Sequence, residues 1–130
     1  MSWYHAMVPP PAGETYCYFT TTGRSSGEPR EIEIWYGLVG TTVYMLSGSG
    51  DDGGRPKAHW VRNLLKTPAV SVRIADVTYE GVARVVERDT EEDAAARKLL
   101  VEKYQPTYSN DLAGWGRTSL AVAVDLKPFV

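Results

Sequence analysis

Six segments of the chain carry the residue pattern of β-strands, with β-branched and aromatic residues that alternate with polar ones. They cover residues 15–22, 30–37, 41–46, 70–74, 77–87 and 120–126. Short glycine-containing turns separate the early segments, and connections of this length join neighbouring antiparallel strands. Gly81 interrupts the longest segment and indicates a bend or a bulge there.

A first amphipathic helix is predicted over residues 57–66, between the third and fourth strand segments. Its inward residues are Trp60 and Leu64, with Val61 and Leu65 as further candidates. A proline two residues beyond the end is a normal stop signal for a helix.

A second helix is predicted to begin after Thr90, because Thr90 and Asp93 have the spacing of a capping box. Pro106 ends the helical pattern. The predicted buried stripe consists of Ala96, Leu99, Leu100 and Tyr104. Residues 109–116 are either a loop or a short turn of helix.

These elements predict a mainly β protein of the α+β class: a small barrel of about six antiparallel strands with two or three flanking helices. A chain of 130 residues is the length of one domain. Residues 1–13 contain three consecutive prolines, so they are predicted to be irregular or to form a short helix beside a domain spanning residues 14–130.

Composition excludes several classes of protein. The net charge of −2 argues against general nucleic-acid binding, and the single cysteine, Cys17, permits neither an internal disulfide nor a thiolate zinc site. The two histidines, His5 and His59, lie far apart without a metal-ligand motif. No membrane-spanning apolar run and no secretory signal is recognisable, so we expect a cytoplasmic protein.

Positive charge is concentrated between residues 53 and 75, which contain no Asp or Glu. The cations there are Arg55, Lys57, Arg62, Lys66 and Arg73. They begin where the glycine-rich segment 47–56 runs into the first predicted helix, an arrangement that favours an anion or phosphate site. A flexible hairpin loop beside ordinary surface cations is the open alternative, since neither a Walker nor a Rossmann glycine pattern occurs.

Side chains for acid–base or nucleophilic catalysis are scarce. His59 beside Trp60 is interpreted as a surface or interface residue, and the carboxylates of residues 91–93 are explained by helix capping. Hydride transfer from a flavin-like ring needs mainly orientation and electrostatics, because the cofactor carries the chemistry.

Three segments resemble blocks of the deazaflavin-dependent nitroreductase and quinone reductase family. Residues 20–37, TTTGRSSGEPREIEIWYG, are similar to its TTGR-x-SG-x-PR strand–turn–strand. Residues 60–74, WVRNLLKTPAVSVRI, are similar to its W-x-x-NL-x-x-x-P-x-V-x-V block, and residues 114–126, GWGRTSLAVAVDL, to its closing W-x-x-RT strand.

This resemblance implies a split β-barrel, usually homodimeric, that binds coenzyme F-420 and reduces a small organic acceptor (a quinone, an activated alkene or a nitro compound). The residues implied to contact the cofactor or to support its site are Gly23, Arg24, Ser25, Arg30, Ser47, Gly48, Lys57, Trp60, Arg62 and Asn63. Tyr36 is expected beside the cofactor ring or the acceptor, and Tyr108 on the acceptor side. No metal ligand is implied.

Two other functions stay open from the sequence. The family turn often carries a lysine where this chain has Ser25, so FMN, in an oxidase or reductase, is the alternative cofactor. A carrier or sensor of a flavin or tetrapyrrole would also need no catalytic side chain.

Overall fold

The computed structural model describes residues 10–128. The prediction of an irregular or short helical N-terminal segment falls mostly on residues 1–9, which lie outside the described residues. Residues 10–13 have no helix or strand, and the proposed boundary at residue 14 stays a prediction.

The strands and helices follow the predicted order, with boundaries that differ by a few residues. The strands are β1 (Cys17–Thr22), β2 (Pro29–Ile34), β3 (Gly37–Val39), β4 (Thr42–Ser47), β5 (Asp51–Asp52), β6 (Arg55–Pro56), β7 (Ala69–Ile74), β8 (Val77–Val85) and β9 (Leu120–Leu126). The helices are α1 (His59–Lys66), α2 (Glu91–Tyr104), followed by a short 3-10 turn (Gln105–Thr107), and α3 (Ala113–Thr118). The α+β prediction is confirmed, and the ambiguous segment before β9 is a helix.

Seven strands form one antiparallel sheet in the order β2-β1-β7-β8-β9-β4-β3. Its two edge strands, β2 and β3, are consecutive in the chain and are separated by Trp35 and Tyr36 alone. A chain advances only about 3.5 Å per residue, so the two edges must approach each other at this corner. The sheet therefore curls into a barrel that is split between β2 and β3.

Alternate residues of the strands fill the barrel interior. The largest fully buried side chains there include Phe19, Met45 and Ile74, which come from β1, β4 and β7. Cys17 joins them, and burial raises the pKa of its thiol to about 12, so it is an unreactive core residue as the sequence indicated.

Helix α1 packs its inner side into this core through Val61 and Leu64. The ring of Trp60 meets that of Phe19 edge-on, with 5.6 Å between centroids. The prediction that Leu65 faces inward is wrong, because this side chain is 52% exposed. The helix begins at residue 59, later than predicted, and its third buried side chain is the polar Asn63.

Helix α2 covers the opposite, outer face of the barrel wall. Ala96 and Leu100 pack against Ala121 and Ala123 of β9, so this strand is buried on both sides. The predicted capping is confirmed, since the Thr90 hydroxyl accepts a hydrogen bond from the backbone N–H of Asp93 at 3.1 Å.

The predicted strand over residues 30–37 ends earlier, at Ile34. Tyr36 turns into the interior and is fully buried, and its hydroxyl donates to the carbonyl oxygen of Pro11. At Gly37 a Cβ atom would lie 2.6 Å from the Leu99 side chain, so the close approach of α2 requires glycine there.

Candidate functional site

The turn between β1 and β2 is fixed to helix α1 by the side chain of Asn63. This amide is 5% exposed, and its Oδ1 accepts from the backbone N–H of Arg24 at 3.1 Å and from Arg24 Nη1 at 2.9 Å. Its Nδ2 donates to Thr21 Oγ1 at 3.2 Å. Asn63 therefore sets the position of the turn through both ends of its amide.

Two further contacts hold Arg24 against the same helix. Arg24 Nη2 lies 2.9 Å from His59 Nδ1, and Nη1 lies 3.4 Å from the carbonyl oxygen of His59. Lys66 Nζ donates to the Arg24 carbonyl oxygen at 2.7 Å. His59, Asn63 and Lys66 are spaced by four and three residues, so they share one helix face. The guanidinium is thus oriented before any ligand arrives.

An open cavity of about 290 Å³ lies beside this guanidinium. It is lined by Arg24, Ser25, Ser26, Arg30 and His59, and we call it the cationic cavity. Arg30 Nη2 donates to Ser26 Oγ at 3.1 Å, and neither arginine takes part in a salt bridge within residues 10–128. Two guanidinium groups that lie next to hydroxyls and have no carboxylate partner in the described part of the chain form a site suited to an oxyanion.

The cationic cavity brings several of the predicted residues together and adds His59, which the sequence did not indicate. Arg24, Ser25 and Arg30 line it together, and at Gly23 a Cβ atom would lie 2.5 Å from Ser26 Oγ. His59 was interpreted as a surface residue. Its spacing of four residues from Asn63 was the signal that could have placed it on the face that holds Arg24.

The other predicted cations lie elsewhere. Arg62 Nε donates to the Pro56 carbonyl oxygen at 2.6 Å, which fixes the β5–β6 hairpin. The Arg73 guanidinium stacks on the Tyr18 ring at 4.2 Å and lies 3.7 Å from Glu31. Lys57 is exposed and does not line the cationic cavity. The cations of residues 53–75 therefore do not form a single surface.

A second group of side chains surrounds the end of β4. Ser47 is 2% exposed, and its Oγ has no hydrogen-bond partner among residues 10–128. A buried hydroxyl without a partner costs about 1–3 kcal/mol, which a ligand with a polar edge could recover. Gly48 follows, and a Cβ atom on it would lie 3.4 Å from the Trp115 ring.

Four aromatic rings cluster outside the barrel corner. Trp35 stacks on Tyr104 with centroids 4.2 Å apart and planes 4° from parallel. Tyr108 and Trp115 meet Trp35 edge-on at 5.3 and 5.6 Å. This aromatic cluster contains the predicted Tyr108, which is 43% exposed. It does not contain Tyr36, whose neighbour Trp35 occupies this side of the corner.

The rings of the aromatic cluster are held by helices α2 and α3. The Tyr104 hydroxyl accepts from the Tyr36 backbone N–H at 3.0 Å and donates to the Thr15 carbonyl oxygen at 2.7 Å. Burial raises the pKa of Tyr104 to about 12, so its phenol is neutral. Lys103 Nζ lies 3.6 Å from the Tyr36 ring centroid, and burial lowers the pKa of this amine to about 8.

Arg97 fixes α3, and with it Trp115, against α2. Arg97 Nε donates to Asp93 Oδ1 at 3.0 Å, and Nη1 donates to the Gly116 carbonyl oxygen at 2.9 Å. At Gly116 a Cβ atom would lie 2.6 Å from the Val101 side chain, so the two helices meet at this glycine. These contacts fix the position of Trp115 in the aromatic cluster.

Within the part of the chain that the structure describes, no three His, Cys, Asp or Glu side chains converge to hold a metal ion. The helices found between residues 10 and 128 are too short or too polar to cross a membrane.

Comparison with known families shows which family the chain belongs to. Residues 8–127 match the model of the family described as F420H(2)-dependent quinone reductase. The chain belongs to this family. It is therefore an enzyme that uses coenzyme F-420, and the predicted identity of the cofactor is confirmed. No curated protein sequence matches it significantly.

Solved structures support the same fold. An F420-H2 dependent reductase (FDR-A) is 28% identical, with a TM-score of 0.65 over 85% of this chain and 94% of that chain. A protein described as a domain-swapped dimer is 29% identical, with a TM-score of 0.66 over 85% and 80% of the two chains. The heme storage protein HutZ from Vibrio cholerae, 19% identical, has a TM-score of 0.65 over 89% and 82% and shares the fold.

Proposed function

We propose that this F-420-dependent enzyme reduces a small organic acceptor, either a quinone, an activated alkene or a nitro compound, and that the cationic cavity holds the anionic tail of the cofactor. The observation that carries the placement of the cofactor is the pair of guanidinium groups of Arg24 and Arg30, which have no carboxylate partner among residues 10–128. They belong to the turn that resembles the family's first block, and F-420 carries phosphate and carboxylate groups that such cations bind.

The residues present fit a cofactor with an anionic tail and a polar ring. Arg24, Arg30 and the hydroxyls of Ser25 and Ser26 supply donors for the tail. Ser47 Oγ, which has no hydrogen-bond partner among the described residues, supplies a hydrogen bond for a polar ring edge, and Gly48 leaves room beside the backbone. When bound, reduced F-420 supplies the hydride.

Other predicted residues support the site through their neighbours. Asn63 orients Arg24, Trp60 packs α1 onto Phe19, and Arg62 fixes the loop before α1. Lys57 remains a proposed contact for a long anionic tail that extends out of the cavity. Tyr36 is fully buried and is not retained as a substrate contact.

The acceptor is proposed to lie against the aromatic cluster. Trp35 and the exposed Tyr108 offer flat apolar faces, which suit a planar ring. The Tyr108 hydroxyl supplies a donor for a quinone or nitro oxygen. Tyr108→Phe would then lower kcat/KM for a quinone several-fold while the Kd for F-420 stays unchanged.

The protein is further proposed to act as a cytoplasmic homodimer, as the resemblance implied. The similar chain described as a domain-swapped dimer supports self-association. Light scattering coupled to size-exclusion chromatography tests this, and a mass of about 14 kDa at micromolar concentration would contradict it.

The deciding experiment is a parallel fluorescence titration of the protein with F-420 and FMN. Saturable binding of F-420 alone, followed by oxidation of reduced F-420 in the presence of quinones, enones or nitroaromatics, would support the proposal. Preference for FMN would contradict it and favour the oxidase alternative. Binding of F-420 without turnover of any acceptor would favour a carrier.

A further inference from the structure

The contact between Arg24 and His59 determines where the histidine proton lies. A guanidinium has only donors, so His59 Nδ1, at 2.9 Å from Arg24 Nη2, must be the acceptor. The imidazole in this arrangement is therefore neutral, with its proton on Nε2. Protonation of Nδ1 would abolish this hydrogen bond and set two positive charges against each other.

His59 is also a wall of the cationic cavity, so its charge acts on the same space as the arginines. It is exposed, so solvent protons reach its ring nitrogens directly. Arg24 would keep its bonds to Asn63 and to the His59 carbonyl oxygen when Nδ1 is protonated. The Nη2 group would then be free to turn towards an oxyanion in the cavity.

The charged side chains that line the cavity beside His59 are Arg24, from the turn, and Arg30, from β2. Farther along α1, Arg62 donates to the Pro56 carbonyl oxygen and Lys66 donates to that of Arg24. Ser25 and Ser26 are the neutral members of the wall, and no Asp or Glu lines the cavity in the described part of the chain. Glu28, which ends the turn, is exposed and is not part of this wall. An arriving anion is thus the group best placed to stabilise a protonated His59.

We propose that the cationic cavity is a proton-coupled oxyanion site, in which binding of a phosphate-type or carboxylate anion is accompanied by uptake of one solvent proton at His59 and transfer of Arg24 Nη2 from His59 Nδ1 to the anion. The inference rests on the proposed function only for the identity of the natural anion, the F-420 tail. It makes His59 an oxyanion contact and makes affinity depend on pH.

The test uses sulfate, which stays fully ionised over this pH range, so that a change in its affinity reports on the protein. All proteins carry His5→Gln, which leaves His59 as the one histidine. We expect sulfate to bind about three- to tenfold tighter at pH 5.5 than at pH 8. The NMR titration midpoint of the His59 ring should rise when sulfate is added, because binding and protonation are linked.

A matched variant separates proton uptake from positioning. In His59→Asn, the side-chain Oδ1 can still accept from Arg24 Nη2, but the amide does not titrate. Its sulfate affinity should be independent of pH and equal to the wild-type value at pH 8. A wild-type affinity that does not change with pH, an equal change in the variant, or no sulfate binding at pH 5.5 would each overturn the proposal.

A third measurement shows whether carboxylates or the phosphate of the cofactor tail are the bound anions. It also separates this proposal from the proposed function. If formate, which also stays ionised over this pH range, shows the same pH dependence as sulfate, carboxylates of the cofactor tail are sufficient, and if only sulfate does, the phosphate is the partner. Neither measurement uses F-420, so a failure to bind F-420 would reject the proposed function while leaving the proton-coupled site intact.

Discussion

The chain contains two glycine- and serine-rich turns near cations, and the two turns have different contacts in the structure. Residues 23–28 lie on α1, and Asn63, His59 and Lys66 hold Arg24 there. Residues 47–56 form the small β5–β6 hairpin, where Asp51 pairs with Arg88 at 3.5 Å. The first turn presents the guanidinium group of Arg24 to a cavity, where Arg30 at the start of β2 adds a second. The comparison teaches that cations form an anion site when uncharged groups, and not carboxylates, hold them in place, because their positive charge then stays available.

The largest effect is expected from Asn63→Leu, which removes the amide that holds the first turn. Arg24 loses its backbone and side-chain acceptor, and Thr21 Oγ1 loses its donor. The free energy of unfolding should fall by about 2–4 kcal/mol, as measured by urea denaturation. Anion binding should weaken as well. A stability change below about 0.5 kcal/mol would mean that the turn does not depend on α1.

Arg30→Ala tests the first turn without disturbing the fold. Arg30 is exposed and bonds only to Ser26 among the described residues, so the melting temperature should hardly change. Loss of a charge-assisted contact should weaken F-420 binding by about 1–3 kcal/mol, measured by fluorescence titration. If stability collapses and affinity does not move, Arg30 is structural.

Glu92 on α2 lies outside both turns, and its protonation should lower the stability of the fold at acid pH. Hydrogen bonds from Arg84 and Tyr44 lower the pKa of Glu92 to about 2. The resulting stability is present above the ordinary carboxyl range and is lost as the pH falls from about 5 towards 2. Since Glu92 is about a third exposed, we expect Glu92→Gln to reduce this loss by only about 1–2 kcal/mol, measured by denaturation between pH 7 and 3.

The smallest effect is expected from Arg55→Ala in the second hairpin, the matched control for Arg30→Ala. Arg55 is exposed and takes part in no salt bridge in the described part of the chain. Its removal should change stability by less than about 0.5 kcal/mol and leave F-420 affinity unchanged. A loss of affinity equal to that of Arg30→Ala would show that the cofactor lies across both turns.

The sequence predicts the parts of this molecule that depend on local pattern. Alternation along β7 and the cap at Thr90 depend on neighbouring residues, and they are found as predicted. Simple alternation does not hold along β9, where Ala121 and Ala123 are buried as well because α2 covers the outer face. The resemblance of residues 20–37 to the family's first block is what indicated Arg24 and Arg30 as candidate site residues. Helical spacing alone could not show that Leu65 is exposed, because α1 buries the polar Asn63 where an apolar residue would be expected.

Long-range contacts account for what sequence reasoning missed. His59 enters the cavity because a turn 35 residues earlier folds onto its helix. Trp35 and Trp115 meet only when β2 and α3 come together, and no local pattern indicates that contact. Tyr36 was expected beside the cofactor or the acceptor, but β2 ends before it and its side chain enters the interior. Trp35 lies in the aromatic cluster instead.

The corner at Trp35 and Tyr36 has a consequence for how such an enzyme can diversify. One ring of this pair belongs to the aromatic cluster and the other to the barrel core, because successive residues of an extended chain point to opposite sides. A substitution at position 35 can therefore reshape the outer wall without disturbing the interior. An insertion or deletion of one residue would exchange the two rings. Variation in acceptor preference should thus arise at this corner through residue type, while its length stays constant.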